Sequence, residues 1–242
     1  MKIVARTDKG IVRENNQDSY TGGELIGGVG YAIVCDGMGG AAEGAFASSE
    51  AVKIIREKIC SGYKNGMSDI SVKALLVSAL ENANKHIYML SLTDDKYSGM
   101  GTTAVAAIIT DEFVYIAHVG DSRAYMISQG KAVQLTRDHT VVQNMLENGE
   151  ITPEEVADHP KKHIITRAIG VDSELAVDFC QEDFYDDSLL LLCTDGLSNY
   201  ANPEDIVELT GDGKYLRYAD RLVNLALENG GGDNVTVVTV SM

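Results

Sequence analysis

Four apolar runs follow one another with almost nothing between them: TTAVAAII, FVYIAHV, RAYMIS and KAVQLT, within residues 102–136. Their connections are as brief as Thr110-Asp111-Glu112 and Gln129-Gly130. A parallel pair needs a crossover of about a dozen residues or more, so these strands must mostly pair antiparallel. A second set, LAVDFCQ, SLLLLC and NVTVVTV, flanks the C-terminal helical stretches. Helical spacing appears elsewhere. Ala47, Ala51, Ile54, Ile55 and Ile59 form one stripe, and Val72, Leu75, Leu76, Leu80, Ala83 and Ile87 a longer one, capped by Ser68 or Ser71. Leu216, Ala219, Leu222, Val223 and Ala226 form a third, and Asn202-Pro203-Glu204-Asp205 announces a short capped helix. Strand runs set apart from helix runs predict an α+β fold, not a doubly wound parallel sheet. Several strands lack clean alternation, so both faces should be covered. Two mainly antiparallel sheets flanked by helices, a four-layer α-β-β-α sandwich, meet that requirement.

Composition narrows the function. The chain has 242 residues, 45% of them hydrophobic, enough for a packed core without disulfide or metal staples. Its net charge of −16, from 20 Lys+Arg against 36 Asp+Glu, is the reverse of a nucleic-acid footprint. The longest strictly apolar run, Leu189 to Cys193, is far short of a membrane span. The start MKIVARTDKG is no signal peptide, and the four cysteines lack C-x-x-C spacing. A cytoplasmic protein is expected, with reduced thiols at Cys35 and Cys193 ending apolar runs. No linker or repeat divides it, so residues 1–242 read as a single domain. The stretch at about 137–170 is polar, holds two prolines and three of the five histidines, and reads as a surface flap.

Chemistry is concentrated where aspartates meet strand ends. Tyr31–Cys35 runs into Asp36-Gly37, and Leu189–Cys193 runs through Thr194 into Asp195-Gly196. Phe113–Val119 runs into Gly120-Asp121, and Gly230-Gly231-Gly232-Asp233-Asn234 leads into the last strand. A single Asp-Gly is more often a hairpin turn than a site. Four acids at strand mouths are harder to dismiss, because buried carboxylates need a partner, a proton or a cation. Met38-Gly39-Gly40 after Asp36-Gly37 is also too glycine-rich for a simple turn.

Eight blocks in order carry a resemblance. They are TDKGIVRENNQD (7–18), VCDGMGG (34–40), MGTT (100–103), HVGDSR (118–123), LTRDH (135–139), ITRAIG (165–170), LCTDGL (192–197) and GGDNVT (231–236). Together they resemble the metal-dependent Ser/Thr protein phosphatases of type 2C (PPM), in their bacterial single-domain branch, and cover essentially the whole chain. That resemblance implies a β-sandwich flanked by helices, with two core ions and a looser third at one end. Asp36 would bridge two ions, the Gly37 carbonyl would bind one, and Asp195 and Asp233 would hold the other. Asp18 would act one step back through water, Asp121 would help hold the third ion, and Arg13 would bind phosphate.

The residue types agree with those roles. Carboxylates, one carbonyl and water form a hard donor set suited to Mn²⁺ or Mg²⁺. Such a pair of ions can activate water to attack phosphorus directly, without a phosphoenzyme. The guanidinium of Arg13 offers two parallel hydrogen bonds to phosphate. His118, His139, His159 and His163 could be ligands or acids; His118 lies within an apolar strand and reads as structural, whereas His139, at the entry of the flap, is the next candidate for an acid. Relatives of this type commonly carry His at the positions held here by Met38 or Ala41, so the usual leaving-group acid is absent. The expected substrates are phosphorylated proteins, with a cognate Ser/Thr kinase as partner, no nucleic acid, no membrane, and a monomeric state. A phosphoprotein-binding regulator without turnover and a phosphatase of small phosphate esters remain the alternatives.

Overall fold

A computed structural model describes residues 1–156 and 159–242, apart from the side chain of Ala41. In chain order the strands are β1 (Lys2–Asp8), β2 (Asp18–Glu24), β3 (Gly30–Met38), β4 (Gly101–Thr102), β5 (Ala104–Ile109) and β6 (Phe113–Val119). They continue with β7 (Arg123–Ser128), β8 (Lys131–Gln134), β9 (Asp178–Asp183), β10 (Leu189–Cys193) and β11 (Val235–Ser241). The helices are α1 (Ala41–Gly62), α2 (Asp69–Ser91), α3 (Val141–Glu147), α4 (Pro153–Val156), α5 (Asp195–Ser198), α6 (Pro203–Thr210) and α7 (Tyr218–Glu228).

One sheet has the order β1-β11-β10-β7-β8 and the other β2-β3-β5-β6-β9, with β4 on β3. Every pair of neighbouring strands among the described residues is antiparallel. The sheets meet face to face through Val34, Val105, Ile116, Leu190, Leu192 and Val238. On the outer side of the second sheet, Ile55, Ile59, Leu76 and Leu80 pack against Ile33, Ala106 and Ile108. Leu222, Val223 and Ala226 do the same for the first sheet against Leu191 and Val237. This is the expected four-layer sandwich. It explains why β5, β10 and β11 are buried along their full length and show no alternation.

The helix signals hold locally. Ser68 caps α2 by accepting from Ser71 N–H, and Asn202 and Asp205 form a reciprocal capping box at α6. Leu216 departs from expectation: it sits in a 3-10 turn ahead of α7 and is 72% exposed. The strand expected from Leu175 begins only at Asp178. Residues 137–170 form an excursion carrying α3 and α4, pinned at its ends by bridges between Thr140 and Ile165 and between Thr102 and Ile169. Residues 157 and 158, inside that stretch, lie outside the described residues. Among the described residues no helix is long and apolar enough to cross a membrane.

Candidate active site

Neither Asp-Gly pair is a hairpin turn, since neither Gly37 nor Gly196 has the positive φ such turns require. Each glycine marks a close approach instead. A Cβ on Gly37 would fall 2.0 Å from the Gly44 carbonyl oxygen, and one on Gly196 would fall 1.9 Å from that of Asn234. The first turn of α1 and the start of β11 can therefore close onto the chain segments bearing Asp36 and Asp195.

Those closures bring the strand ends to one cavity of about 710 Å³. Arg13, Asp36, Gly37, Asp121, Asp195 and Asp233 all line it. The backbone of Asp36 is fixed from three directions. Its carbonyl accepts from Thr102 Oγ1 at 2.8 Å and from Thr103 N–H at 2.9 Å, and its N–H donates to Thr103 Oγ1 at 3.0 Å. Asn234 ties the approach loop to β11: its Oδ1 accepts from Gln17 N–H, and its Nδ2 donates to the carbonyls of Lys9 and Asn15. Arg13 reaches the same wall, where its Nη2 donates to Asp233 Oδ2 at 2.8 Å.

Asp18 is set apart from the wall residues, and pairs in register with Asp36 across β2 and β3. Its Oδ2 accepts from Thr236 Oγ1 at 2.7 Å and Thr194 Oγ1 at 2.9 Å. Its Oδ1, like Asp195 Oδ1, is buried without a hydrogen-bond partner. Burial pushes Asp18 and Asp121 up to about 7, and the charge of Asp195 adds to both shifts. Asp36 is driven well above the carboxylate range by burial and then by Asp18, Asp195, Asp121 and Asp233. Asp195 rises through burial and the neighbouring Asp233. Carboxylates this crowded ionise fully only beside a compensating positive charge.

A family model described as protein phosphatase 2C matches residues 11–233, the span that contains every acid lining this cavity. The chain belongs to the protein phosphatase 2C family. This phosphatase is 36% identical to the serine/threonine phosphatase stp of Listeria monocytogenes, over 99% of its own length and 95% of the relative's. The serine/threonine phosphatase of S. agalactiae superimposes with a TM-score of 0.93 at 34% identity, covering 100% of this chain and 99% of that one. The catalytic domain of the phosphatase PstP, in complex with two manganese ions, aligns with a TM-score of 0.84 at 32% identity, covering 98% and 96%. The family is metal-dependent.

The residues of this phosphatase fit such an ion. Two orphaned carboxylate oxygens, at Asp18 and Asp195, lie among acids with raised pKa values, and the donors are all oxygen. Asp36, Asp121, Asp195, Asp233 and the Gly37 carbonyl could hold it from the cavity wall.

A second titratable cluster lies elsewhere. Donor atoms of His118, His139 and Asp178 come within 4.8 Å of one another. His139 is fully enclosed, with Nδ1 accepting from Gly120 N–H at 3.1 Å and Nε2 facing Asp178 Oδ2 at 3.1 Å. Arg167 Nη1 donates to the other oxygen of Asp178 at 2.9 Å, and His118 Nε2 is 2.9 Å from the Arg137 carbonyl. The two rings stack with centroids 5.0 Å apart, and burial lowers both pKa values, which keeps the imidazoles neutral. Both nitrogens of His139 are engaged, so the cluster positions Gly120, the residue before Asp121, while His118 Nδ1 is buried without a partner.

The histidine that does line the cavity is His163. Its sequence surroundings, Lys162-His163-Ile164, carry no periodic or motif signal. The return of the 137–170 excursion over the acids is what singles it out among the candidate histidines. Met38 also lines the cavity, whereas the side chain of Ala41 lies outside the described residues. Thr102, Thr103, Thr194, Thr236 and Asn234 stand inside the sequence blocks, but their bonding to the two aspartates and the loop is visible only in three dimensions.

Proposed function

We propose that this chain hydrolyses phosphoserine and phosphothreonine in proteins, by attack of a water-derived hydroxide on phosphorus without a phosphoenzyme. The reading is carried by one observation: four acids and one carbonyl line a single cavity, with a buried carboxylate oxygen left unpaired. Asp36, Gly37, Asp195 and Asp233 would hold two core ions, Mn²⁺ or Mg²⁺, and Asp121 would help hold a looser third. Such ions, when bound, make water acidic enough to yield hydroxide at neutral pH and offset the charge of phosphate.

The remaining work falls to side chains. Asp18, fixed by two threonine hydroxyls, orients water behind Asp36 through its unpaired oxygen. Asp233 occupies Nη2 of Arg13, and the other donors of the guanidinium fork receive phosphate oxygens. Breaking the P–O bond expels a serine or threonine alkoxide that needs a proton. His163 supplies it from the cavity wall, since His139 is enclosed and has both nitrogens engaged.

Phosphorylated proteins are the substrates, and a cognate Ser/Thr kinase is the natural partner by family analogy. Residues 1–242 act as one catalytic domain, monomeric and cytoplasmic, with the 137–170 excursion as a flap over the cavity. The test is release of phosphate from phosphoserine peptides and p-nitrophenyl phosphate with Mn²⁺, with Mg²⁺ and with EDTA. Turnover that requires the divalent ion supports the reading, and turnover undiminished by EDTA overturns it.

A further inference from the structure

One polar side chain interrupts the apolar face of α2. Leu76, Ala79, Leu80, Ala83 and Ile87 are buried along that face, and so is Asn84, which is 2% exposed. A buried amide costs free energy unless it is hydrogen-bonded, and asparagine is a poor helix former besides. The helix itself gains nothing from Asn84.

Both ends of the amide reach the segment that leaves the 137–170 excursion. Oδ1 accepts from Gly170 N–H at 2.7 Å, and Nδ2 donates to the Asp172 carbonyl at 2.9 Å. Only one orientation of the amide suits one N–H and one carbonyl, so the clamp is specific. Gly170 also presses on α2: its φ is +89°, and a Cβ there would fall 2.3 Å from Ile87 Cγ2.

The clamp connects to the cavity wall. Ile169 and Thr102 bond reciprocally, with Thr102 N–H donating to the Ile169 carbonyl at 3.0 Å and Ile169 N–H to the Thr102 carbonyl at 2.8 Å. On its other side Thr102 pairs in register with Gly37, and its hydroxyl donates to the Asp36 carbonyl at 2.8 Å. Thr103 N–H donates to that same carbonyl at 2.9 Å. Among the described residues α2 contributes nothing to the cavity lining, so any influence of Asn84 on the site must pass along this path.

We infer that Asn84 is a positioning residue for the cavity wall. By clamping Gly170 and Asp172 it holds Ile169 against Thr102, and through Thr102 it sets the backbone of Asp36 and Gly37. The inference rests on the metal-site reading above, in which that carboxylate and that carbonyl are ligands. Groups that orient ligands from behind typically change metal affinity by about 10–100-fold when removed.

The test compares Asn84→Leu, which keeps side-chain bulk and removes the bonds, with Leu80→Ala, which weakens the same helix without touching them. Mn²⁺ affinity is measured by titration calorimetry below both melting temperatures, and amide exchange by NMR on the metal-free protein. Asn84→Leu should raise the Mn²⁺ Kd roughly tenfold and speed exchange at Gly170, Thr102 and Thr103. Leu80→Ala should leave the Kd unchanged. Thr102→Val cuts the path one step from Asp36, so combining it with Asn84→Leu should not multiply the two losses. Asn84→Ala gives the same comparison if the leucine variant does not fold.

An unchanged Kd in Asn84→Leu, or an equal loss in Leu80→Ala, would overturn the assignment. So would faster exchange confined to Gly170, or losses that multiply with Thr102→Val. Absence of Mn²⁺ binding in the wild type is a different result: it would remove the metal-site reading, and exchange at Thr102 and Thr103 would still decide whether Asn84 holds this wall.

Discussion

The acid-lined cavity and the His118–His139–Asp178 cluster are built from the same kind of material and reach opposite states. Both gather buried titratable side chains beside the turn that carries Gly120 and Asp121. In the histidine cluster, Asp178 faces His139 and Arg167 at once, and its pKa is held below the ordinary value despite the cost of burial. At the cavity, Asp36, Asp121 and Asp195 in the wall and Asp18 behind it are raised above theirs, and one oxygen each of Asp18 and Asp195 has no partner. The difference separates a group that holds the fold from one that awaits a ligand. Proximity of potential ligand atoms does not make that distinction, since the histidine cluster meets it equally well. Compensation of charge does: Asp178 faces Arg167 and the enclosed His139, whereas the acids of the cavity raise one another's pKa values. This holds although His118 Nδ1 is itself buried without a partner.

The comparison is broken most severely at Asp36. Asp36→Asn should lower turnover by about 10²–10³-fold or more while the metal-free protein melts higher, because one of the repelling charges has gone. Phosphate release and a thermal melt in EDTA check both halves. Loss of activity through unfolding would place Asp36 with the structural cluster instead. His163→Gln should cost about 10²-fold on a phosphoserine peptide and little on p-nitrophenyl phosphate, whose leaving group needs no proton. The same loss on both substrates would remove His163 from that role.

Metal addition should separate the clusters thermodynamically. At about 100 times its dissociation constant, Mn²⁺ should stabilise the wild type by about 2.7 kcal/mol, with the gain reduced in Asp36→Asn and intact in His139→Gln. His139→Gln should itself lose about 1–3 kcal/mol in urea unfolding, because Gly120 N–H and Asp178 forfeit a buried partner. The pH dependence of stability separates the two clusters as well. Asp18 and Asp121 hold protons more tightly when folded, with pKa values raised from 3.8 to about 7. Their contribution to stability is therefore full below about pH 4 and is lost as pH rises through about 7. The metal-free protein should melt progressively lower from about pH 5 to pH 7.5, and saturating Mn²⁺ should abolish that slope. A metal-free melting temperature that climbs over this window would contradict the raised values.

Much of this contrast is legible in the amino-acid sequence, and the remainder is hidden for identifiable reasons. Apolar runs that end in Asp-Gly announce β3 and β10 with their acids, and the caps at Ser68 and Asn202 announce α2 and α6. β1 leaves no such trace, because its partner is β11 at the far end of the chain, with Lys2 opposite Ser241. β2 is obscured by Gly22 and Gly23 and by a half-exposed face. α3 and α5 are too short, at 7 and 4 residues, for a periodic stripe. His139 reads as a candidate acid from the LTRDH block. Its enclosure depends on stacking against His118, 21 residues earlier in the chain and visible only once β6 pairs with β9.

The central claim is that the mutually repelling acids, and not the histidine cluster, take up divalent ions. Equilibrium dialysis against Mn²⁺, on wild type, Asp36→Asn and His139→Gln, tests it most directly. The account predicts at least two ions per chain in the wild type and in His139→Gln, and loss of tight binding in Asp36→Asn. Tight binding that survives in Asp36→Asn and disappears in His139→Gln would contradict it.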